Sequence, residues 1–220
     1  MAEIKIGRMV LGSCQTNCYF IYQEEEMPGQ GDAQGHKRAI VVDPADQGGR
    51  IHETLERNGI EVEAILLTHG HFDHIWGTKE LREAAGVKLY ALDAEKALCE
   101  DSHNNVSDMA GRAYTVTPDE YLRDGQELTL AGMRFQVIAT PGHTIGSCCY
   151  YFPEAGFLVS GDTLFAESVG RTDFPTGSMS SIVRSIKEKL YVLPGETKVY
   201  PGHGDSTTIE HEMQYNPFTV

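Results

Sequence analysis

The chain has 220 residues, of which 40% are hydrophobic and 23% charged, and its formal net charge is -14. This length is enough for one sizeable hydrophobic core, whereas the negative charge and the lack of a basic run argue against a nucleic-acid-binding protein, which needs clustered Lys and Arg. Neither a signal-peptide core nor an apolar run of about 18 residues is found, so export and membrane insertion are not indicated and we expect a cytoplasmic protein.

In the first half of the chain, predicted strands alternate with predicted helices. Short apolar runs predict strands at 18–22, 39–42, 64–67 and 87–91, and helical spacing predicts helices at 49–58, 75–85 and 94–100. The polar, glycine-rich stretch 24–37 is typical of a long exposed loop. Residues 101–124 are polar and irregular, and our interpretation is that they form one wall of a substrate groove.

The second half is richer in strands, which are predicted at 127–130, 133–139, 148–152, 157–159 and 198–200. A single helix is predicted at 179–190, with Ser178 as its N-cap. Three of the predicted strands are followed closely by a histidine, namely His69, His143 and His203. We therefore expect these strand ends to converge on one site.

The five cysteines do not indicate a zinc or redox pair, because none has the CxxC spacing. They are Cys14, Cys18, Cys99, Cys148 and Cys149. An odd number without such spacing fits reduced thiols. Cys148 and Cys149 lie in an apolar run, where we expect them to act as small buried hydrophobic residues.

The run Thr-His-Gly-His-Phe-Asp-His contains four metal-binding side chains within six positions: His69, His71, Asp73 and His74. Imidazole nitrogens and carboxylate oxygens suit zinc, manganese or iron. With His143, His203 and a second aspartate, the chain has enough ligands for two neighbouring ions. The remaining histidines are isolated in sequence, and we expect them to be ordinary core or surface residues; they are His36, His52, His103 and His211.

The pattern His-x-His-x-Asp-His-x-x-Gly at 69–77 resembles the metallo-β-lactamase superfamily. Three further motifs follow in the family's order: Thr-Pro-Gly-His at 140–143, Ser-Gly-Asp at 160–162 and Pro-Gly-His at 201–203. The resemblance covers nearly the whole chain. It implies an α/β fold, a four-layer αββα sandwich with the metal site at one edge of the two sheets. It also implies a single domain over 1–220 without a separate C-terminal helical domain.

The resemblance also implies a ligand set. His69, His71 and His143 would bind a first divalent ion, and Asp73, His74 and His203 a second, with Asp162 bridging the two. Zinc is our first expectation, and iron or manganese are alternatives. Asp73 would also act in catalysis by orienting the hydroxide that bridges the metals.

Three more residues are candidates for a supporting or substrate-binding role. Arg171 and Asp173 either form a buried pair that holds the loop after Asp162, which we favour, or Arg171 meets a substrate carboxylate. Asp43 either supports a metal ligand or belongs to a simple turn at a strand end; Ala45 stands where the family usually has Gly, so this turn is expected to differ.

Within the superfamily, the chain resembles the glyoxalase II-like thioesterases in the segments 16–19, 170–174 and 207–218. Gly70 stands where the di-iron flavoproteins have a glutamate ligand, which argues against that branch. True β-lactamases are exported, and the nucleic-acid-processing members carry a large added domain. Both branches are therefore also disfavoured, because export is not indicated here and 220 residues leave no room for such a domain. The compact form of hydroxyacylglutathione hydrolase matches better than the form with a helical C-terminal domain, because only 17 residues (220 minus 203) follow His203.

Three hypotheses for function follow. The first is hydrolysis of a small-molecule thioester such as an S-acylglutathione. The alternative is a persulfide dioxygenase of the same superfamily, which uses one iron held by the equivalents of His69, His143 and Asp162 and shares the Gly-Arg-Thr-Asp-Phe stretch at 170–174. The third, a metal-binding protein without enzymatic activity, is hard to reconcile with a complete ligand set.

Overall fold

The computed structural model describes residues 3–24 and 37–219, which form two six-stranded sheets. The first sheet contains, in spatial order, β1 (Glu3–Leu11), β2 (Thr16–Glu24), β3 (Lys37–Val42), β4 (Ile60–Leu66), β5 (Lys88–Leu92) and β6 (Glu120–Leu122). Strands β3 to β6 are parallel to one another, and β2 pairs antiparallel with both β1 and β3. The predicted loop at 24–37 falls almost entirely outside the described residues.

The second sheet is formed by the later strands of the chain. In chain order its strands are β7 (Glu127–Leu130), β8 (Met133–Ala139), β9 (Cys148–Phe152), β10 (Phe157–Gly161), β13 (Lys198–Pro201) and β14 (Thr207–Thr208). Between β10 and β13, a small separate hairpin is formed by β11 (Leu164–Phe165) and β12 (Ser168–Val169). The sheet has the spatial order β14-β13-β10-β9-β8-β7, and β11 pairs with β12 outside it.

The helices are short. They are α1 (Gly48–Arg57), α2 (Phe72–Ile75), α3 (Thr78–Ala85), α4 (Lys96–Cys99), α5 (Met179–Ser185) and α6 (Ile209–Tyr215). A 3-10 turn, Asp93–Glu95, precedes α4, and a π-helical turn, Ile186–Leu190, follows α5. Within the described ranges, no helix has the length and apolar character needed to cross a membrane.

Alternation of side chains along the strands creates three separate buried layers. Ile40 and Leu66 of the first sheet pack against Val137 and Tyr150 of the second, so that the two sheets share a central core. On the outer face of the first sheet, α1 and α3 bury apolar residues such as Leu55. On the outer face of the second sheet, α5 and α6 cover a third buried cluster, which includes Val199 of β13 and Ile209 of α6. The predicted αββα sandwich is therefore confirmed.

The strand predictions agree with the structure to within a few residues, but two helix predictions are wrong in detail. The predicted helix at 75–85 begins only at Thr78, as α3, and Ile75 is the last residue of the separate helix α2. The two helices are separated because the Gly77 N–H donates to the Pro44 carbonyl (2.8 Å). The helix predicted at 179–190 becomes a π-helical turn after Ser185. Its N-cap is confirmed, since the Ser178 side chain accepts from Ser181 N–H.

The elements that were not predicted are strands β1, β6, β11, β12 and β14 and helices α2 and α6. In β1, half-exposed residues follow one another without clean alternation, because this strand lies at the sheet edge. The predicted burial of Cys148 and Cys149 is confirmed, and all five cysteines are free thiols.

Candidate metal centre

The seven predicted metal ligands come together where several strands end at the same edge of the sandwich. The loop after β4 carries His69 and His71, and α2 then carries Asp73 and His74, so only the first two lie on the expected loop. His143 follows β8, Asp162 follows β10 and His203 follows β13. The two sheets are joined here by a hydrogen bond from Cys148 N–H to the Thr68 carbonyl (2.9 Å).

His69, His71 and His143 form what we call the three-histidine half of the site. The Nδ1 atom of His71 lies 2.8 Å from Nε2 of His143, which in turn lies 3.2 Å from Nε2 of His69. All three side chains are buried, and no more than 3% of any of them is exposed. Three imidazole nitrogens thus lie close together around one small volume.

Asp73, His74 and His203 form the carboxylate half. The Oδ2 atom of Asp73 lies 3.2 Å from His203 Nε2 and 3.6 Å from His74 Nε2. Asp162 lies between the two halves, because its carboxylate oxygens are 3.3 Å from His74 Nε2, 3.5 Å from His203 Nε2 and 3.6 Å from His143 Nε2. A single carboxylate is therefore shared by both groups of ligands.

The second ring nitrogen of four of these histidines faces a hydrogen-bond acceptor outside the centre. His69 Nδ1 faces Thr68 Oγ1 (3.1 Å), His74 Nδ1 faces Asp43 Oδ2 (2.9 Å), His143 Nδ1 faces the Arg171 carbonyl (2.7 Å) and His203 Nδ1 faces the Cys14 carbonyl (3.1 Å). These partners assign an N–H to the outer nitrogen, so that each ring, in its neutral form, turns a lone pair toward the centre.

This arrangement fits divalent cations. Two lone pairs 3.2 Å apart, on His69 and His143, repel each other unless a cation lies between them. Within the described part of the chain, the buried atoms His74 Nε2 and Asp162 Oδ1 have no hydrogen-bond partner, which is costly without a ligand. His69, His71 and His143 form one group whose ligand atoms lie within 4.8 Å of one another, and Asp73, His74 and His203 form another.

The electrostatics of the two halves differ. Burial lowers the pKa of His69 well below its usual value and that of His71 to about 3, and the neighbouring imidazoles add to this effect. Burial alone would also lower the pKa of His203, but hydrogen bonds to Asp162 and Asp73 raise it to about 9. The three-histidine half is therefore neutral at pH 7, whereas the carboxylate half attracts positive charge.

Asp43 lies directly behind His74. It is 2% exposed, has a left-handed backbone conformation (φ 52°), and accepts hydrogen bonds from Thr68 N–H (2.8 Å), Thr68 Oγ1 (2.6 Å) and His74 Nδ1 (2.9 Å). Although it is near enough to His69 and His74 to be a candidate ligand, its oxygens are occupied on the outer side of His74. The geometry favours support of His74 over direct metal binding, and over a simple turn.

Arg171 and Asp173 form a pair, but the expectation that the pair is buried is wrong. Both guanidinium–carboxylate distances are 2.7 Å, yet the side chains are 55% and 67% exposed. The guanidinium lies 3.7 Å from the ring centroid of Phe174. It is the backbone carbonyl of Arg171, and not its side chain, that contacts His143.

A cavity of about 370 Å³ opens onto the metal centre. Phe72, Phe165 and Phe174 form much of its wall, and Cys14 and Arg171 also line it. Among the described residues that line this cavity, none belongs to 101–124, so the interpretation of that segment as a groove wall is wrong. The segment instead holds the start of α2, because the Asn105 carbonyl accepts from Phe72 N–H (3.1 Å).

Two supporting side chains were missed in the sequence. Thr16 donates to Asp73 Oδ2 (2.9 Å), and Thr68 contacts both Asp43 and His69. Thr68 directly precedes the histidine run, so its position gave a signal. Thr16 contacts a residue 57 positions away, and nothing in the local sequence indicates that contact.

Comparison with known proteins places the chain among metal-dependent enzymes. A family model described as the Metallo-beta-lactamase superfamily matches residues 11–203. The chain is 36% identical over 217 residues to the probable metallo-hydrolase YqgX of Bacillus subtilis (strain 168), covering 98% of this chain and 97% of the relative. It is 30% identical over 207 residues to the hydroxyacylglutathione hydrolase GloC of Haemophilus influenzae, with 93% and 92% covered.

Solved structures show the same fold. The crystal structure of BLEG-1 B3 metallo-beta-lactamase has a TM-score of 0.88 and 36% identity, covering 98% of this chain and 100% of that one. TTHA1623 in a di-iron-bound form has a TM-score of 0.81 and 34% identity, with 96% and 99% covered. ETHE1 from Myxococcus xanthus has a TM-score of 0.73 and 26% identity, with 97% and 83% covered.

Proposed function

Because this chain belongs to the metallo-beta-lactamase superfamily, we propose that it is a metal-dependent thioesterase that hydrolyses S-acylglutathione-type thioesters. The observation that carries the proposal is the paired ligand set, in which the three-histidine half and the carboxylate half share Asp162. A complete pair of sites suits hydrolysis, because neighbouring divalent ions lower the pKa of bound water and stabilise the oxyanion that forms from a carbonyl.

The chain's own residues would hold the reacting groups. In the net reaction, water adds to the thioester carbonyl carbon, the C–S bond breaks, and the products are a carboxylic acid and a thiol. Thr16, His203 and His74 all approach Oδ2 of Asp73. Among the described residues these contacts leave Oδ1 of Asp73 to orient the attacking water. Phe72, Phe165 and Phe174 shield the cavity, which strengthens the electrostatic interactions inside it.

The choice of a glutathione thioester is supported by the similarity to GloC of Haemophilus influenzae and by the glyoxalase II-like segments of the sequence. Zinc is the metal we propose first, and the di-iron form of TTHA1623 makes iron the first alternative. Imidazole and carboxylate ligands accept both.

The test is release of free thiol from S-lactoylglutathione by the purified, metal-loaded chain, followed with a thiol reagent. His71→Ala is the control, because it removes one nitrogen of the three-histidine half. Release above the rate of this control is expected. An equal rate for both proteins would refute the choice of substrate. Since BLEG-1 is a metallo-beta-lactamase, a chromogenic β-lactam belongs in the same assay panel.

A persulfide dioxygenase is the second candidate, and the similarity to ETHE1 from Myxococcus xanthus favours including it. Metal analysis separates the two hypotheses. A hydrolase of the proposed kind holds two metals per chain, whereas a dioxygenase of the kind described above holds one iron and consumes oxygen with glutathione persulfide. The complete carboxylate half of this chain favours the hydrolase.

A further inference from the structure

Glu95 is a fully buried carboxylate that touches both loops of the three-histidine half. It lies in the 3-10 turn before α4 and is 0% exposed. Its Oε1 accepts from Gly70 N–H (2.9 Å), which lies between His69 and His71. Its Oε2 accepts from Gly146 N–H (2.8 Å) and from Thr144 Oγ1 (3.0 Å), just after His143.

The surroundings of Glu95 contain no compensating cation among residues 3–24 and 37–219. Burial raises its pKa to about 7, and the three hydrogen bonds from Gly70, Thr144 and Gly146 oppose that shift. Burying a carboxyl group without an ionic partner is unfavourable. Such a residue is more costly than an apolar one would be, which suggests that its contacts serve the site.

The backbone of both loops is packed tightly against the segment that carries Glu95. A Cβ atom on Gly146 would lie 2.3 Å from the Glu95 nitrogen, and one on Gly70 would lie 2.8 Å from Cys99 Sγ. A side chain at either position would therefore force the loop or the residues of 93–99 that it contacts to move. One short segment, 93–99, thus fixes the separation of the two loops that supply His69, His71 and His143.

We propose that Glu95 is a positioning residue that holds the three-histidine half in its metal-binding geometry by joining the two loops. The inference rests on the proposed metal centre. The carboxylate half does not depend on Glu95 in the same way, because His203 is held by the Cys14 carbonyl and His74 by Asp43. Loss of the carboxylate should weaken one half selectively.

Glu95→Gln tests this, since it keeps the shape of the side chain but places an amide N–H against a backbone donor. The matched control is Glu212→Gln. Glu212 is also 0% exposed and accepts from three donors, Glu167 N–H (2.9 Å), Thr207 Oγ1 (2.6 Å) and Asn216 Nδ2 (2.8 Å), but it touches neither loop of the three-histidine half.

Each substitution is made in two backgrounds, and zinc affinity is measured by chelator competition. His203→Ala leaves the three-histidine half intact, and His71→Ala leaves the carboxylate half intact. Supporting residues typically change metal affinity by 10- to 100-fold, so we expect Glu95→Gln to weaken zinc binding by about 10- to 100-fold in the His203→Ala background and less than about threefold in the other. Glu212→Gln should leave both affinities unchanged.

Equal losses in the two backgrounds, or no loss in either, would overturn the inference. If Glu95→Gln does not fold, Thr144→Val removes one donor to Glu95 and should weaken the same half selectively; unchanged affinity would again overturn the inference. Failure of the unsubstituted chain to bind any divalent metal would instead refute the proposed function, so the two failures are distinguishable.

Discussion

The two halves of the proposed metal centre present their ligand atoms in different environments. The three-histidine half is buried and neutral, and its ligands come from two loops joined by Glu95. In the carboxylate half, the side chain of Asp73 is 15% exposed and that of His203 28% exposed. Here carboxylates face imidazoles that they hold in the protonated form.

The difference shows what metal binding must displace in each half. In the three-histidine half the imidazoles are already neutral, so a metal ion only has to enter and lose its water. In the carboxylate half, His203 and His74 carry protons in the metal-free protein, and a metal ion must replace them. Burial thus keeps the imidazoles of the three-histidine half neutral and able to bind a metal ion, whereas in the carboxylate half the negative charge attracts either protons or a metal ion.

The largest effect is expected from Asp162→Asn, which removes the carboxylate that the two halves share. Asp162 lies within 3.6 Å of His74, His143 and His203. We expect thioester hydrolysis to fall by about 10²- to 10³-fold, the usual loss when one charge-stabilising group is removed from an active site. Rates are compared at saturating metal. A variant with the wild-type rate would show that the two halves work independently.

His71→Ala and His203→Ala should separate the halves. The side chain of His203 is 28% exposed, so water can take the place of its nitrogen, whereas that of His71 is 3% exposed and packs against His143 and Phe174. We expect His71→Ala to lose the metal of the three-histidine half at limiting zinc. At limiting zinc, His203→Ala should keep the metal of the three-histidine half, and it should bind the second metal more weakly. Metal content per chain measures both, and the reverse pattern would contradict the comparison.

Asp43→Asn should weaken the carboxylate half. The new amide N–H would face the Nδ1–H of His74, which now donates to Asp43 Oδ2 at 2.9 Å. A lost supporting contact of this kind lowers metal affinity by about 10- to 100-fold, and titration in the His71→Ala background measures it. Asp205→Asn, at a side chain 95% exposed, is the control. If Asp43→Asn and Asp205→Asn bind metal with equal affinity, then Asp43 stabilises only the turn at the end of its strand.

The two sheets and the clustering of the proposed ligands could be anticipated from the sequence, because both leave local patterns. The histidine run follows an apolar strand directly, and short apolar runs mark most of the longer strands. Contacts between distant segments leave no such pattern. Glu95 meets Gly146 across 51 positions, and Gly77 N–H bonds to Pro44 instead of extending a helix. Those partners are chosen by how the two sheets and their loops pack.

The metal-free protein should show a pH dependence that metal removes. The folded pKa of His203 is raised to about 9, so its contribution to stability is present below the unfolded value near 6.5 and is lost as pH rises through about 9. His71 has the opposite sign: its folded pKa is lowered to about 3, so stability is lost as pH falls below about 6.5.

Urea unfolding midpoints with a chelator should therefore be highest near neutral pH and fall on both sides. With bound metal the alkaline loss should disappear, because the ion takes the place of the His203 proton. A metal-free midpoint that rises between about pH 7 and 9 would mean that the carboxylate half does not hold His203 in the charged form.

The smallest effect is expected from Arg171→Ala. The guanidinium is bound to an exposed carboxylate, Asp173, and such pairs are weak; the carbonyl that contacts His143 remains in the variant. We expect unchanged metal content and a change in KM of less than about threefold for S-lactoylglutathione. A larger rise in KM for this anionic substrate, but not for the matching thioester of an uncharged thiol, would instead show that Arg171 leaves Asp173 to bind a substrate carboxylate. In that case the neutral three-histidine half would have its own anion-binding group at the cavity wall, and the contrast between the halves would be smaller than the metal-free geometry indicates.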